Sequence, residues 1–217
     1  MGRIKLSLLP GYSTVQMENK KLYTGIILAG GKGIRLGTDK GLIELNGRKL
    51  IEYAIDILSP FCNEIIISSN NPDYRILPAR IVPDLAAGNG PMMGIYSSLK
   101  ASPTTANLIL AVDNIFVTRG FFRYLLSLNL SAYHVAVPYV LNKYFEPLVG
   151  YYSTKCIPVM EQMMQERNYK LPDLFSMILV NKLMVERDFP DFKQNYFQSL
   201  NNPEDLVMLK GLHPGRP

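Results

Sequence analysis

Residues 28–40 read LAGGKGIRLGTDK, and this glycine-rich stretch continues an apolar run, TGIILA, at residues 24–29. An apolar run of this length that ends in glycines is typical of a buried strand that enters a loop. Glycines carry no Cβ, so the backbone N–H groups of such a loop can approach a phosphate closely. Arg35 can fork onto two phosphate oxygens, whereas Lys40 acts as a point charge. The loop therefore predicts a site for a nucleoside triphosphate.

Other interpretations of the loop are weaker. It could be a plain glycine-rich turn with two solvated cations. It could also be a dinucleotide fingerprint, but the G-x-G-x-x-G pattern that begins at Gly31 has Leu36 in place of its third glycine. The chain contains no G-x-x-x-x-G-K-[ST] motif, which disfavours a P-loop kinase or GTPase.

Strand and helix signals alternate outward from this loop. Apolar and β-branched runs predict strands at Thr24–Ala29, Glu64–Ser68, Arg80–Val82, Asn107–Val112, Val135–Val137, Pro147–Tyr152 and Phe197–Leu200. Helical spacing and start signals predict helices at Lys49–Leu58, 92–101, Arg119–Leu128, Thr154–Glu166 and Pro172–Leu179, and a terminal helix from Asn202. This order predicts an α/β fold, a single three-layer Rossmann-like domain with a mostly parallel sheet and helices on both faces. We assign residues 22–217 to it and expect 1–21 to be a disordered N-terminal extension.

Three of the candidate site residues follow predicted strands directly. Ligands of parallel sheets bind beyond the carboxyl ends of the strands, so Gly30, Asp84 and Asp113 should face one crevice. A hard cation such as Mg²⁺ takes one or two carboxylates together with phosphate oxygens, and Asp113 is the candidate ligand. The competing interpretation of Asp84 and Asp113 is a turn or capping role, and Asp39 is an equally good candidate for a cap of its own loop.

Charge and cysteine content narrow the function classes. The chain of 217 residues has a net charge of +5, and residues 1–21 contribute four basic side chains against one acidic one. The body is therefore only weakly basic, which argues against nucleic-acid binding. Cys62 and Cys156 show no metal-ligand spacing and are expected to be reduced thiols. No run approaches the roughly 20 apolar residues of a membrane span, so we expect a cytoplasmic protein without membrane contact.

A family resemblance covers about residues 24–209. The opening motif L-A-G-G-x-x-x-R-x-G-x-D-K resembles that of the molybdenum cofactor guanylyltransferases (MobA), a family of the nucleotidyltransferase superfamily. Further landmarks of that family follow in order: GNGPMMG at 88–94, Asp113, EPL at 146–148 and NNPEDL at 201–206. The chain departs from the pattern after Asp113, where Asn114-Ile115-Phe116 lacks the usual proline, and at Ser68, where the family can carry a nucleotide-contacting asparagine.

The resemblance implies a transfer of GMP from GTP to the phosphate of molybdopterin, with release of pyrophosphate. By similarity, residues of three kinds are expected: GTP contacts at Leu28, Ala29, Gly30, Gly31, Gly33, Arg35, Lys40, Ser68, Asp84 and Asp113; Mg²⁺ ligands at Asp113 and Asn201; and an acceptor side at Gly90, Pro91, Gly94, Glu146 and Pro147. Arg35, Lys40 and Asp113 would carry the catalysis. Transient contacts with other proteins of molybdenum cofactor biosynthesis are also expected.

The chemistry implied by the residues agrees with this function. A phosphate oxygen is already ionised at neutral pH, so an in-line displacement needs positioning and charge stabilisation but no general base. Two alternatives within the class are a CTP-dependent enzyme and one that acts on a sugar phosphate. Relatives that use CTP often read L-A-A-G, so Gly30 favours guanine. An alternative of another class is a dinucleotide-dependent oxidoreductase or a non-catalytic nucleotide-binding module, but the expected acid after the second strand is replaced by Ser68, Ser69 and Asn70.

Overall fold

Strands and helices alternate along most of the chain. The computed structural model describes residues 23–30, 32–33, 38–86 and 88–200. The strands are β1 (Tyr23–Leu28), β2 (Lys32–Gly33), β3 (Thr38–Asp39), β4 (Glu44–Leu45), β5 (Arg48–Lys49), β6 (Cys62–Ser68), β7 (Arg80–Val82), β8 (Ala106–Ala111), β9 (Val135–Val140), β10 (Tyr144–Phe145), β11 (Val149–Ser153) and β12 (Val180–Leu183). The helices are α1 (Leu50–Leu58), α2 (Gly90–Ala101), α3 (Arg119–Ser127), α4 (Ile157–Gln165), α5 (Leu171–Met177) and α6 (Val185–Asp188).

Eight of these strands form one sheet. Its order is β10-β9-β11-β8-β1-β6-β7, and β12 pairs with β9. The four strands β8, β1, β6 and β7 run parallel, as does the pair of β12 and β9. β11 lies antiparallel between β8 and β9. The predicted mostly parallel α/β sheet is confirmed, with β11 antiparallel inside it and the short β10 antiparallel at its edge.

Both faces of the sheet are covered by helices. Side chains alternate along β1, so that Ile27 packs with α1 and α3 in one cluster while Ile26 packs with α2 and α4 in the other. Both isoleucines are fully buried, and burial of such a side chain contributes about 1.5–3 kcal/mol. Strands with two buried faces read as continuous apolar runs, which explains why the sequence revealed them. None of the helices among the described residues is long and apolar enough to cross a lipid bilayer.

Several element boundaries differ from those that the sequence predicts. α2 begins at Gly90, with Pro91 in its first turn, rather than at residue 92. The predicted helix at 154–166 divides into a 3₁₀ turn, Thr154–Cys156, and α4. The strand predicted to start at Pro147 starts at Val149.

Two differences concern whole elements. The predicted strand Phe197–Leu200 is wrong, because this segment forms a turn and irregular backbone. Its Phe197 ring packs edge-on against Phe121 of α3, at 5.5 Å between ring centroids, so its apolar side chains serve packing and not a sheet. β12 was not predicted. The predicted extension at 1–21 and the terminal helix from Asn202 lie outside the described residues.

Candidate active site

A cavity of about 200 Å³ opens at the carboxyl ends of the parallel strands. The end of β6, the loops after β1, β7 and β8, and the N-terminal part of α2 contribute to its walls. Its lining residues are Leu28, Ala29, Gly30, Lys40, Ser68, Asp84, Gly90, Pro91, Gly94, Ala111, Val112, Asp113 and Leu148. Hydrogen bonds that extend the sheet beyond the strands hold these loops together, from Ala29 N–H to the Ser68 carbonyl at 3.0 Å and from Val112 N–H to the Leu28 carbonyl at 3.1 Å. The cavity is thus built on the rigid edge of the sheet.

Most of the candidate residues from the sequence meet in this cavity. They are Leu28, Ala29, Gly30, Lys40, Ser68, Asp84, Asp113, Gly90, Pro91 and Gly94. Glu146 and Pro147 are not among the lining residues, although Leu148 next to them is. Gly33 lies in β2, paired with Thr38. Gly31, Arg35 and Asn201 lie outside the described residues.

Sequence reasoning did not select Ala111, Val112 and Leu148 as site residues. Ala111 and Val112 end the apolar run before Asp113, and that position beyond a strand end is the signal that would have found them. Leu148 precedes the antiparallel strand β11, and its carbonyl accepts a hydrogen bond from Ala111 N–H at 2.8 Å. The antiparallel placement of β11 is a property of the whole sheet, so the local sequence held no sign of it.

Lys40 and Asp113 meet at one side of the cavity. The Lys40 Nζ atom lies 2.7 Å from Asp113 Oδ2, and the two side chains are only 20% and 17% exposed. Lys40 is contributed by the 3₁₀ turn Lys40–Leu42, and Asp113 follows β8. A cationic and an anionic side chain are therefore adjacent in the wall of the cavity.

Asp39 has a structural role. It caps the 3₁₀ turn, and its Oδ1 atom accepts a hydrogen bond from Gly41 N–H at 3.0 Å. Its Oδ2 atom accepts another from Asn71 Nδ2 at 3.1 Å, and the Tyr74 hydroxyl also donates to it. The structure supports the capping role that the sequence indicates for Asp39.

Asp84 also lines the cavity and follows β7. Its backbone N–H donates to Asn70 Oδ1 at 3.0 Å. Burial raises the pKa of the Asp84 carboxyl, and a hydrogen bond with the Asn70 side chain partly opposes this shift. Gly94 of α2 allows the close approach here, because a Cβ at this position would lie 2.8 Å from Ser68 Oγ and 3.5 Å from Asp84 Oδ1. The lack of a side chain at Gly94 therefore allows α2 to pack closely against Ser68 and Asp84.

The N-terminal part of α2 faces the cavity through Gly90, Pro91 and Gly94. Gly88 and Gly90 have φ values of +84° and +67°, which only glycine adopts without strain. The first turn holds no acidic side chain, so its free N–H groups and helix dipole favour an anion.

The loop that carries Asp113 is tied to the segment 196–200. Leu200 N–H donates to the Asp113 carbonyl at 3.2 Å, and Asn114 Nδ2 donates to the Phe197 carbonyl at 3.0 Å. Asn114 is buried, so the hydrogen bond of its side-chain amide is shielded from water. The segment ends one residue before Asn201, which is the second predicted metal ligand.

Metal-ligating side chains are few at this site. Among the described residues, no group of three or more His, Cys, Asp or Glu side chains could hold a metal ion. The donors that line the cavity are the carboxylates of Asp84 and Asp113. This sparse set of hard oxygen donors fits Mg²⁺, which is commonly held by one or two carboxylates and by phosphate oxygens of the substrate.

Comparisons with known proteins place the chain among nucleotidyltransferases. The family model of the MobA-like NTP transferase domain matches residues 25–177. A probable molybdenum cofactor guanylyltransferase of Pelotomaculum thermopropionicum is 33% identical over 86% of this chain and 91% of its own length. One of Flavobacterium johnsoniae is 28% identical over 84% and 94%.

A solved structure shares the fold. The molybdopterin-guanine dinucleotide biosynthesis protein A of Archaeoglobus fulgidus superimposes with a TM-score of 0.74 at 24% identity, covering 87% of this chain and 97% of that protein. A 4-diphosphocytidyl-2C-methyl-D-erythritol synthase of Anaerococcus prevotii has a TM-score of 0.64 at 16% identity, covering 88% and 95%. The fold is thus shared by proteins whose names indicate different nucleotides.

Proposed function

The chain belongs to the MobA-like NTP transferase family, and on this premise we propose that it transfers GMP from GTP to the phosphate of molybdopterin, with release of pyrophosphate. The observation that carries the proposal is the meeting of Lys40 and Asp113 at the cavity beyond the strand ends. Two relatives with the guanylyltransferase name match nearly their whole length, which supports guanine and the molybdenum cofactor as substrates. Family membership excludes the oxidoreductase alternative.

The nucleotide would enter against the end of β1. Leu28, Ala29 and Gly30 offer backbone groups to the guanine and ribose, and Ser68 and Asp84 form the wall beside them. Lys40 would bind the distal phosphates, because it brings a positive charge to the cavity wall. Gly31, Gly33 and Arg35, from the same loop, are proposed to complete the phosphate contacts.

The family indicates a metal-dependent reaction, and we propose Mg²⁺ as the ion. Asp113 and Asn201 would hold it, and the bound ion would supply positive charge to the triphosphate. Leu200, the residue before Asn201 in the sequence, donates its N–H to the Asp113 carbonyl, and this contact supports the assignment of Asn201.

In the transfer, an oxygen of the molybdopterin phosphate attacks the α-phosphorus of GTP. A new P–O bond forms, the bond from the α-phosphorus to the bridging oxygen breaks, and pyrophosphate leaves with the electron pair. Lys40 stabilises the charge on the leaving group. The attacking oxygen is already ionised, so no side chain has to accept a proton. His134 accordingly lies elsewhere, with its Nδ1 atom accepting a hydrogen bond from Leu179 N–H at 3.3 Å.

The acceptor is proposed to enter past the first turn of α2, along Gly90, Pro91 and Gly94. Glu146 and Pro147 would flank its entry from the strand side, next to Leu148. Glu146 is largely desolvated, and burial raises the pKa of its carboxyl to about 7. A carboxyl that is partly protonated at neutral pH repels an anionic acceptor less than a fully ionised one would. Contacts with other biosynthetic proteins and a cytoplasmic location stay predictions.

The proposal is tested by pyrophosphate release from the pure protein, supplied in turn with each of the four nucleoside triphosphates, Mg²⁺ and molybdopterin. We expect release with GTP and only in the presence of molybdopterin. The Asp113→Asn variant, which keeps the shape of the side chain, serves as the catalytic control. Release with CTP and not with GTP would favour the CTP-dependent alternative. Release only when a sugar phosphate replaces molybdopterin as acceptor would favour the enzyme that acts on a sugar phosphate. No release with any triphosphate would overturn the proposal.

A further inference from the structure

We propose that Tyr74 is a positioning residue for Lys40, which it holds through the Asp39 carboxylate and the backbone of Gly41. The inference rests on the proposed function, in which Lys40 binds the distal phosphates of GTP. Tyr74 itself does not line the cavity, so it would act on the nucleotide only through its neighbours.

The first step of the argument is the cap of the turn that carries Lys40. Asp39 accepts hydrogen bonds from Gly41 N–H, Asn71 Nδ2 and the Tyr74 hydroxyl. The residues on both sides of Lys40 are therefore fixed by one carboxylate. Hydrogen bonds to an ionised acceptor are the stronger kind, so the backbone at Lys40 is firmly held.

The second step is where this cap is anchored. Tyr74 lies in the 3₁₀ turn Pro72–Ile76, whose cap is Asn71, with its Oδ1 atom accepting a hydrogen bond from Asp73 N–H at 3.0 Å. Asn71 N–H donates to Ser69 Oγ at 3.1 Å, and Ser69 N–H donates to the Val82 carbonyl at 3.0 Å. A continuous chain of hydrogen bonds thus runs from the central sheet to Asp39.

The third step is the close fit between Tyr74 and Gly41. Tyr74 is fully buried, and a Cβ at Gly41 would collide with its hydroxyl group. The turn after Lys40 can therefore sit on the tyrosine only because residue 41 is glycine. Burial and the hydrogen bond to Asp39 both raise the pKa of Tyr74, which keeps its hydroxyl protonated as the donor.

These contacts place Lys40 before any ligand arrives. A lysine on a fixed backbone loses less freedom on binding a phosphate than one on a mobile loop, and this pre-organisation strengthens binding. Its Nζ atom already lies 2.7 Å from Asp113 Oδ2, at the place where a metal-bound triphosphate would lie.

Tyr53 provides a matched control. It is buried in the same hydrophobic cluster, and its hydroxyl donates to the Leu45 carbonyl at 2.8 Å. Tyr53→Phe and Tyr74→Phe each remove one buried hydroxyl and keep the ring. Only the second removes a bond to Asp39.

The experiment is a calorimetric titration with GTP and with GMP, both with Mg²⁺. The proteins are the wild type, Tyr74→Phe, Tyr53→Phe, Lys40→Ala and the double variant Lys40→Ala/Tyr74→Phe. We expect Tyr74→Phe to weaken GTP binding about threefold to tenfold, the scale of one hydrogen bond, and GMP binding by less than about twofold. In the Lys40→Ala background the same substitution should have no effect on GTP, because the two residues act through one interaction.

Equal losses in both backgrounds, or an equal loss with Tyr53→Phe, would overturn the inference and leave Tyr74 as core packing. If Lys40→Ala weakens GTP binding and Tyr74→Phe does not, only the inference fails. If Lys40→Ala leaves GTP binding unchanged, the phosphate role of Lys40 in the proposed function fails and the inference falls with it. Should Tyr74→Phe not fold, Asn71→Ala removes another donor to Asp39, and the same expectations and refutations apply to it.

Discussion

The Lys40 ammonium group and the Asp113 carboxylate form an ion pair, 2.7 Å between Nζ and Oδ2, at the place where phosphate and metal are expected to bind. A phosphate that binds Lys40 and a cation that binds Asp113 would each have to break this ion pair. One ligand alone leaves the other partner with an unpaired charge, whereas both together provide each with a new partner. We therefore expect GTP and Mg²⁺ to strengthen each other's binding.

Replacement of Lys40 by alanine tests the phosphate contact. Lys40→Ala should weaken GTP binding by about 1.5–3 kcal/mol, the value of a charged hydrogen bond, and should affect GMP much less because GMP lacks the distal phosphates. Calorimetric titration measures both. Lys100→Ala, which removes the more exposed ion pair with Glu161, is the control and should change neither. Equal losses for GTP and GMP would refute the role of Lys40.

The Asp113→Asn variant separates metal binding from folding. It keeps the volume of the side chain and removes the charge, so the chemical step should slow at least about 100-fold, measured as single-turnover pyrophosphate release. Metal-free GTP binding should be unchanged or slightly tighter, because Lys40 loses its ion-pair partner. Raised Mg²⁺ should rescue part of the rate. The exposed Asp56→Asn, which breaks a pair with Arg48, is the control. Wild-type turnover of Asp113→Asn at low Mg²⁺ contradicts the metal assignment.

Gly30→Ala tests the space for the base. Among the described residues, a Cβ at Gly30 would meet only the Ser68 carbonyl, at 3.7 Å, which is ordinary contact. The protein therefore tolerates a methyl group here, but the methyl would occupy a cavity of about 200 Å³. We expect an almost unchanged melting temperature and a GTP-over-CTP preference that falls about tenfold, the scale of a crowded methyl group. A competition experiment between GTP and CTP measures this preference. An unchanged preference would show that the guanine base does not bind beside Gly30.

The raised pKa of Glu146 predicts a pH dependence of stability. Its folded-state value of about 7 lies above the ordinary 4.5, so the folded protein binds the proton more tightly than the unfolded chain does. The stabilising contribution is complete below about pH 4.5 and is lost as the pH rises through about 7. The melting temperature of Glu146→Gln, relative to that of the wild type, should therefore rise as the pH increases from 5 to 8. The exposed Glu166→Gln serves as control, and a constant difference across this range would argue against a desolvated carboxyl.

The strand ends and most of the cavity were predictable from local sequence. The apolar runs before Gly30, Ser68 and Asp113 belong to strands that are buried on both faces, so the composition of these runs predicts the strands. The glycine or polar residue that follows each run marks the edge of the sheet. Parallel strands end at one edge, and this brings residues together that are far apart in the chain.

What the sequence could not reveal depends on tertiary contacts. In β12, Val180–Leu183, only Leu183 is buried, so the segment lacks the apolar run of a core strand. It forms a strand because it pairs with β9. The segment 197–200 is predicted to be a strand, yet its Phe197 ring packs on α3 and the segment does not join the sheet. The hydrogen bond from the Asn114 side-chain amide to the Phe197 carbonyl joins residues 83 positions apart, and no local pattern encodes such a contact.

The placement of β11 between β8 and β9 also governs how the chain folds during synthesis. β8 ends at residue 111, but its partner on that side spans Val149–Ser153 and pairs with it in antiparallel register. Until this later segment has left the ribosome, one edge of β8 has unsatisfied N–H and C=O groups on an apolar strand. Nascent chains and fragments that stop before residue 149 will therefore need chaperone protection or will aggregate through that edge.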